Sequence, residues 1–274
     1  MTDDHLATSG KTDFPLLSVV TVVLNDAQRI SGTIASVQKQ DYPAIEFIVI
    51  DGGSTDNTVT VINQHREAIN TLISRKDKGI YDAMLLGAQQ AHGQYIHFLN
   101  AGDYYLDAGV LTRMMRQMSP STDILYGDYK VIYPDGRERT VLSHPPNELW
   151  RPFFNHQSAI YRTQLVQDLG FNLDFKPAAD FLQLQQAVAK GAKICYISEI
   201  FVRYSLIGDS ANQELRIIRL YAQIMKNFGW SPQMRLHYLW KICWIWLTAG
   251  IIKRVLPRQL YYKLQYAYRS IAPE

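Results

Sequence analysis

The chain has 274 residues, 47% of them hydrophobic and 19% charged, which fits a globular protein of one large domain with an appendage and excludes a disordered one. Its net charge is only +3, and its two cysteines, Cys195 and Cys243, lie far apart without CxxC spacing, which excludes a zinc cluster and a disulfide framework.

The first 14 residues are polar and lack the basic start, apolar run and small-residue cleavage site of a secretory signal. They predict a flexible N-terminus and residence in the cytoplasm. Residues 16–24 (LLSVVTVVL) and 45–50 are continuous apolar, β-branched runs apart from Glu46, as expected of parallel strands buried on both faces. Between them Ile30, Ile34 and Val37 recur at helical spacing and Pro43 closes the segment, giving a βαβ opening. Helices are predicted over 55–69, beneath a Ser-Thr-Asp cluster, and over 81–91, ended by Gly93. A strand over 95–99 and a helix over 107–118 follow. Residues 124–126 are extended, and Pro134-Asp135-Gly136 joins two antiparallel strands, 130–133 and 139–142. Helices are predicted over 164–169 and 181–189, a strand over 193–197, and a longer helix over 211–228 with Leu215, Ile218, Ala222 and Met225 on one face. No repeat is evident.

After Pro232 the composition shifts. Trp240, Trp244 and Trp246 sit among aliphatics, and Lys253, Arg254, Arg258, Lys263 and Arg269 crowd the end. The uncharged stretch 242–252 is far shorter than the roughly 18 residues of a bilayer span. Its aromatics with flanking cations suit a helix lying on an anionic membrane surface better than nucleic acid, with packing as a helical appendage the alternative.

Two apolar runs end in polar corners. VIDGGSTDNT places Asp51 at a strand end before two glycines, and the first strand delivers Asn25 and Asp26 to the same edge, where ligands of α/β sheets bind. In FLNAGDYY the strand ends in Asn100, an Ala-Gly turn and Asp103, a layout suited to Mg²⁺ or Mn²⁺ held against phosphate oxygens. Each corner is equally readable as a capped turn before a helix, with Ser54 or Asp56 capping the first. GxGxxG and GxxxxGK[ST] are absent, which argues against a dinucleotide dehydrogenase and a P-loop NTPase.

In their order, LSVVTVVLN, IDGGSTD, DKGIYDAM (77–84), HGQYIHFLNAGD (92–103), His156-Gln157 and AADF (178–181) resemble the family 2 glycosyltransferases of the GT-A fold. The resemblance covers about residues 16–210 and is nearest to the bacterial exopolysaccharide branch of colanic-acid type. It implies an α/β fold with a Rossmann-like, mostly parallel central sheet flanked by helices, a mixed acceptor-side region and a C-terminal helical appendage. The domain is expected over 15–230, with 231–274 the appendage. The implied activity is inverting transfer of a sugar from a nucleotide-diphosphate donor to a hydroxyl of a glycan or polyprenyl-diphosphate-linked acceptor, with a divalent cation, at the inner face of the membrane.

Carried over by position, the resemblance gives Val22, Asn25 and Asp51 to the donor nucleoside, Asp82 to the donor's surroundings, and Asn100 and Asp103 to the diphosphate, with Asp103 the metal ligand. Asp180 stands at the catalytic base, with capping of the following helix as the alternative. His156 has three readings, as metal ligand, phosphate contact or acceptor contact, with structural packing as the alternative; Gln157 goes with it. Gly208 and Ser210 fall at a loop over the donor phosphates. The chain departs from its relatives at Gly52 and Gly53, at Asn100 and Gly102, which leave Asp103 the lone carboxylate of its motif, and at Leu85. A sugar-phosphate nucleotidyltransferase and a non-catalytic sugar- or lipid-binding scaffold remain as alternatives, the first lacking its glycine-rich basic loop.

Overall fold

The computed structural model describes residues 14–133, 135–144, 146, 154–205, 214–229, 231, 236 and 240. The expected N-terminal tail and most of the aromatic, basic C-terminal segment lie outside them. The chain divides into two compact units, Met1–Gly208 and Asp209–Glu274.

The first unit is built around β1 (Leu17–Val23), all seven residues of which are buried. Continuous burial requires pairing at both edges and cover on both faces, because each backbone N–H and C=O must find a partner. Accordingly β1 pairs in parallel with β2 (Ile45–Asp51) on one side and β4 (Tyr95–Phe98) on the other. Helix α1 (Ile30–Gln38) crosses between β1 and β2 and buries Ile30, Ile34 and Val37, the three residues of the predicted stripe.

The described sheet has nine strands in the order β3-β2-β1-β4-β8-β6-β9-β5, with β7 beside β6. The remaining strands are β3 (Thr71–Ser74), β5 (Tyr104–Tyr105), β6 (Ile124–Ile132), β7 (Glu138–Val141), β8 (Ala159–Arg162) and β9 (Ile194–Ser205). Strands β1, β2, β3, β4, β6 and β9 run one way; β5, β7 and β8 oppose them. The strand order thus reverses beside β1, and a crevice is expected outside the carboxyl ends of β1, β2 and β4.

The other helices are α2 (Thr58–Asn63), α3 (Ile80–Gln90), α4 (Val110–Arg116), α5 (Thr163–Leu169) and α6 (Ala179–Ala189). The predicted helix over 55–69 is cut to α2 and a 3₁₀ turn at Arg66–Ala68. The run Thr58-Val59-Thr60-Val61-Ile62 is β-branched throughout, which weakens a helix. Gly93 does not end α3, which closes at Ala91 in extended geometry. Gly93 instead lets the chain pass β1, since a Cβ there would stand 2.7 Å from Leu16 O and Ser18 N. Strands β3, β5 and β8 were not predicted. In the second unit α7 (Glu214–Asn227) buries Ile224 and Met225 and exposes Arg216, Arg219 and Lys226.

One polar side chain is fixed deep in the sheet. His97 is fully buried; its Nε2 donates to the Gln157 carbonyl at 2.8 Å, so its Nδ1 is the acceptor for the Tyr105 hydroxyl at 2.8 Å. Burial pulls its pKa down to about 4, with the nearby His156 adding to the fall and the Gln157 bond opposing it. The folded imidazole therefore stays neutral while the unfolded one gains a proton below about pH 6.5. Stability from this residue is present above that value and falls by about 3 kcal/mol as pH drops towards about 4. Urea unfolding of wild type and His97→Asn across this range checks it: the variant should show a shallower loss on acidification, and parallel curves would refute the neutral buried imidazole.

Candidate active site

The β1 and β2 ends are tied together by side chains. Asn25 adopts φ 50°, a left-handed geometry Asn tolerates. Its Oδ1 accepts from Thr55 N at 2.8 Å and its own N–H donates to Ser54 Oγ at 2.8 Å. Asp51 is fully buried and accepts from Gly53 N (3.2 Å), Ser54 N (3.1 Å), Ser54 Oγ (2.5 Å) and Ser74 Oγ (2.6 Å). Both its oxygens thus shape the loop, and Oδ2 reaches across to β3. Asp56 accepts from Thr58 N at 2.9 Å, so Asp56 rather than Ser54 serves the start of α2. Val22 is buried in β1 opposite Ile50. Asp82 lies in the first turn of α3, where the helix dipole favours a carboxylate, and accepts from Lys78 N at 2.9 Å.

At the β4 end, Asp103 is 3% exposed. Its Oδ1 accepts from Ser205 N at 2.9 Å and the Gln157 side chain also bonds it. Burial pushes its pKa up to about 8, against the Ser205 N–H, the Arg29 guanidinium and Gln157, while Asp26 adds to the rise. Arg29 is itself forked onto Asp26, with Nε–Oδ1 2.9 Å and Nη2–Oδ2 2.7 Å.

A third cluster closes the crevice. A 3₁₀ turn at His156–Ser158, capped by the Asn155 side chain, presents His156 and Gln157. His156 Nδ1 lies 3.2 Å from Asp180 Oδ2 and its Nε2 lies 3.4 Å from Asn100 Nδ2. Both ring nitrogens are therefore engaged by protein, an arrangement closer to the packing alternative than to a metal ligand. Asp180 sits in the first turn of α6 without capping it; the cap position is Ala178. Its Oδ1 accepts from Phe181 N at 2.9 Å and the Tyr81 hydroxyl at 3.0 Å. Burial would raise its pKa, but His156, the Phe181 N–H and Tyr81 outweigh that and hold it below the usual carboxylate value. The Asp180 side chain is 28% exposed, so the ionised carboxylate keeps access to solvent.

The structure thus brings Asn100, Asp103, His156, Gln157 and Asp180 together, and places Val22, Asn25 and Asp51 at the adjoining strand ends. Gly208 and Ser210 lie outside the described residues. Tyr81 and Arg29 were not singled out from sequence; the only signal for Tyr81 was its place in DKGIYDAM. Among the described residues no group of three His, Cys, Asp or Glu could hold a metal. At this site two buried oxygens nevertheless lack hydrogen-bond partners among the described residues, Asn100 Oδ1 and Gln157 Oε1. With Asp103 they make an all-oxygen set, which fits a hard cation that takes its remaining ligands from substrate.

Residues 18–190 match the family described as Glycosyl transferase family 2, and the chain belongs to that family. It is 30% identical to an uncharacterized glycosyltransferase of Mycobacterium tuberculosis over 67% of this chain and 71% of that one. It is 29% identical to a PGL/p-HBAD biosynthesis glycosyltransferase of the same organism, over 61% and 67%. Mannosyltransferase PcManGT from Pyrobaculum calidifontis in complex with GDP-Man and Mn²⁺ superposes with TM-score 0.65, covering 95% of this chain and 81% of that one at 16% identity. Residues 1–349 of S. aureus TarS with UDP-GlcNAc give 0.63, 83% and 71% at 21% identity; against longer TarS the match spans 43% of that chain. These two structures share the GT-A fold with this chain. The protein is a glycosyltransferase, and the nucleotidyltransferase and scaffold alternatives give way.

Asp103→Asn keeps the size of the side chain and its acceptor for Ser205 N–H. Because the folded carboxyl value is raised from 3.8 to about 8, wild type loses stability as pH rises through this interval, where only the unfolded chain has released the proton. In EDTA-treated buffer the variant should unfold at higher urea than wild type at about pH 8 and converge with it at about pH 4. Equal midpoints at the higher pH would show that the carboxyl is not held neutral.

Proposed function

We propose that the chain transfers a sugar, with inversion at the anomeric carbon, from a nucleotide-diphosphate donor to a hydroxyl of a glycan or lipid-linked acceptor in the synthesis of a bacterial surface glycan. The observation that carries this reading is the ionised, solvent-accessible Asp180 at the sheet edge that also bears Asp103. Val22 and Asn25 line the nucleoside end, Asp51 holds the loop between them, and Asp82 borders the donor. Asn100, Asp103 and Gln157 would hold a divalent cation, Mg²⁺ or Mn²⁺, which neutralises charge on the departing diphosphate. Asp180 takes the proton of the acceptor hydroxyl as its oxygen bonds to the anomeric carbon, and the bond from that carbon to the diphosphate breaks with its electron pair going to phosphate. The relative named for PGL/p-HBAD biosynthesis supports a role in the synthesis of such a product, and the mannosyltransferase with GDP-Man and Mn²⁺ supports the cation.

A thermal-shift screen of UDP- and GDP-sugars with Mg²⁺ or Mn²⁺ identifies the donor, since a ligand bound only by the native state raises apparent stability, by about 2.7 kcal/mol at a hundred times its Kd. Asp180→Asn should keep that shift and lose transfer by at least about a hundredfold. Normal turnover by this variant would remove Asp180 as base.

No helix among the described residues is long and apolar enough to cross a membrane. The aromatic and basic composition of 231–274 supports contact with an anionic membrane face. Full-length protein should float with anionic liposomes better than a chain ending near Trp230, and equal flotation would discard that contact.

A further inference from the structure

Asp180 is faced by His156 from the 3₁₀ turn, Tyr81 from α3, Tyr161 from β8 and the Phe181 N–H of its own helix. The two oxygens are not equivalent. Oδ1 receives the Phe181 N–H and the Tyr81 hydroxyl, which fill its two lone-pair directions; among the described residues Oδ2 meets only His156 Nδ1. Tyr81 has a second acceptor within reach, the Pro177 carbonyl at 2.9 Å, yet its hydroxyl carries one proton. A charged carboxylate outcompetes a neutral carbonyl for that proton, and a neutral carboxylic acid does not.

We propose that Tyr81 is a positioning residue for Asp180: it closes Oδ1, leaves the free lone pair of Oδ2 to receive the acceptor proton, and turns its hydroxyl to Pro177 O once that proton has arrived. No proton leaves Tyr81 in this cycle. The proton lost by the acceptor hydroxyl resides on Oδ2, the charge on Oδ1 disappears, and the tyrosine hydroxyl stays hydrogen-bonded before and after. The dipole that stabilises the base is already in place and turns about a single C–O bond, which keeps the cost of reorganisation small. This role rests on the reading of Asp180 as base.

Tyr81→Phe removes the hydroxyl and keeps the ring, which packs against Phe171 at 5.5 Å between centroids. Protein labelled with ¹³C at Asp Cγ reports the Asp180 carboxyl directly, its signal assigned by its loss in Asp180→Asn. In Tyr81→Phe the carboxyl titration should move up by about one pH unit, since a hydrogen bond to a charged group has been withdrawn. With UDP-GlcNAc or GDP-mannose, whichever raises the thermal midpoint, kcat should fall about tenfold, KM should hold, and the acid limb of the rate profile should move with the carboxyl. An unmoved carboxyl signal or an unchanged kcat in Tyr81→Phe, with Asp180→Asn inactive, overturns the role of Tyr81 alone. Transfer by Asp180→Asn overturns the base and this role with it.

Discussion

A strand buried on both faces and paired at both edges decides where everything else goes. β1 must be flanked by two parallel neighbours, and their registers, Val23 with Asp51 and Val20 with Phe98, bring three strand ends to one edge. Beyond those ends the backbone leaves the sheet ladder and needs new partners. Asn25, Ser54 and Asp51 supply them, lashing two loops into one surface. Rigidity at this edge of the sheet thus follows from satisfying the backbone around a buried strand, before any ligand is considered.

Three carboxyls lie around the same crevice and their surroundings separate them. Asp51 is saturated by loop donors and acts on the backbone. Asp103, buried with few donors, is pushed up to about 8 and is neutral near pH 7. Asp180, with a histidine, a tyrosine and an amide on it, is held ionised despite its surroundings. Carboxyls driven apart in this way divide labour, one taking up a proton and another awaiting a positive partner. On the proposed reading, a neutral Asp103 suits a cation that arrives with its donor, because a buried unpaired carboxylate would otherwise be costly.

The parts legible in the sequence were those with a long, single-phase signal. The β1 and β2 runs, the α1 stripe and the hairpin around Asp135-Gly136 all announced themselves through contiguous residues. Strand β8, four residues of AIYR, and β3, TLIS, are too short to carry a period, and β5 is two tyrosines; they exist because neighbouring strands offer them an edge. The candidate base was found only through family resemblance. Its partners could not be found locally, since Tyr81 lies 99 residues and His156 lies 24 residues away. Nor could the burial of Asp51 and Asp103 be read from strand ends that looked equally open.

The 3₁₀ turn at His156–Ser158 explains how the two halves of the site are coupled. From these three residues the His156 ring reaches Asp180 while the Gln157 side chain reaches Asp103. The backbone between them is fixed by a buried imidazole, because the His97 Nε2 proton goes to the Gln157 carbonyl at 2.8 Å. Losing that bond would leave a donor and an acceptor unpaired in the core, which ties the turn to β4. A shift of the turn would move the contacts to both carboxyls together. The Asp103 corner and the Asp180 corner therefore form one mechanical piece, anchored on β4 and set by a histidine that touches neither carboxyl.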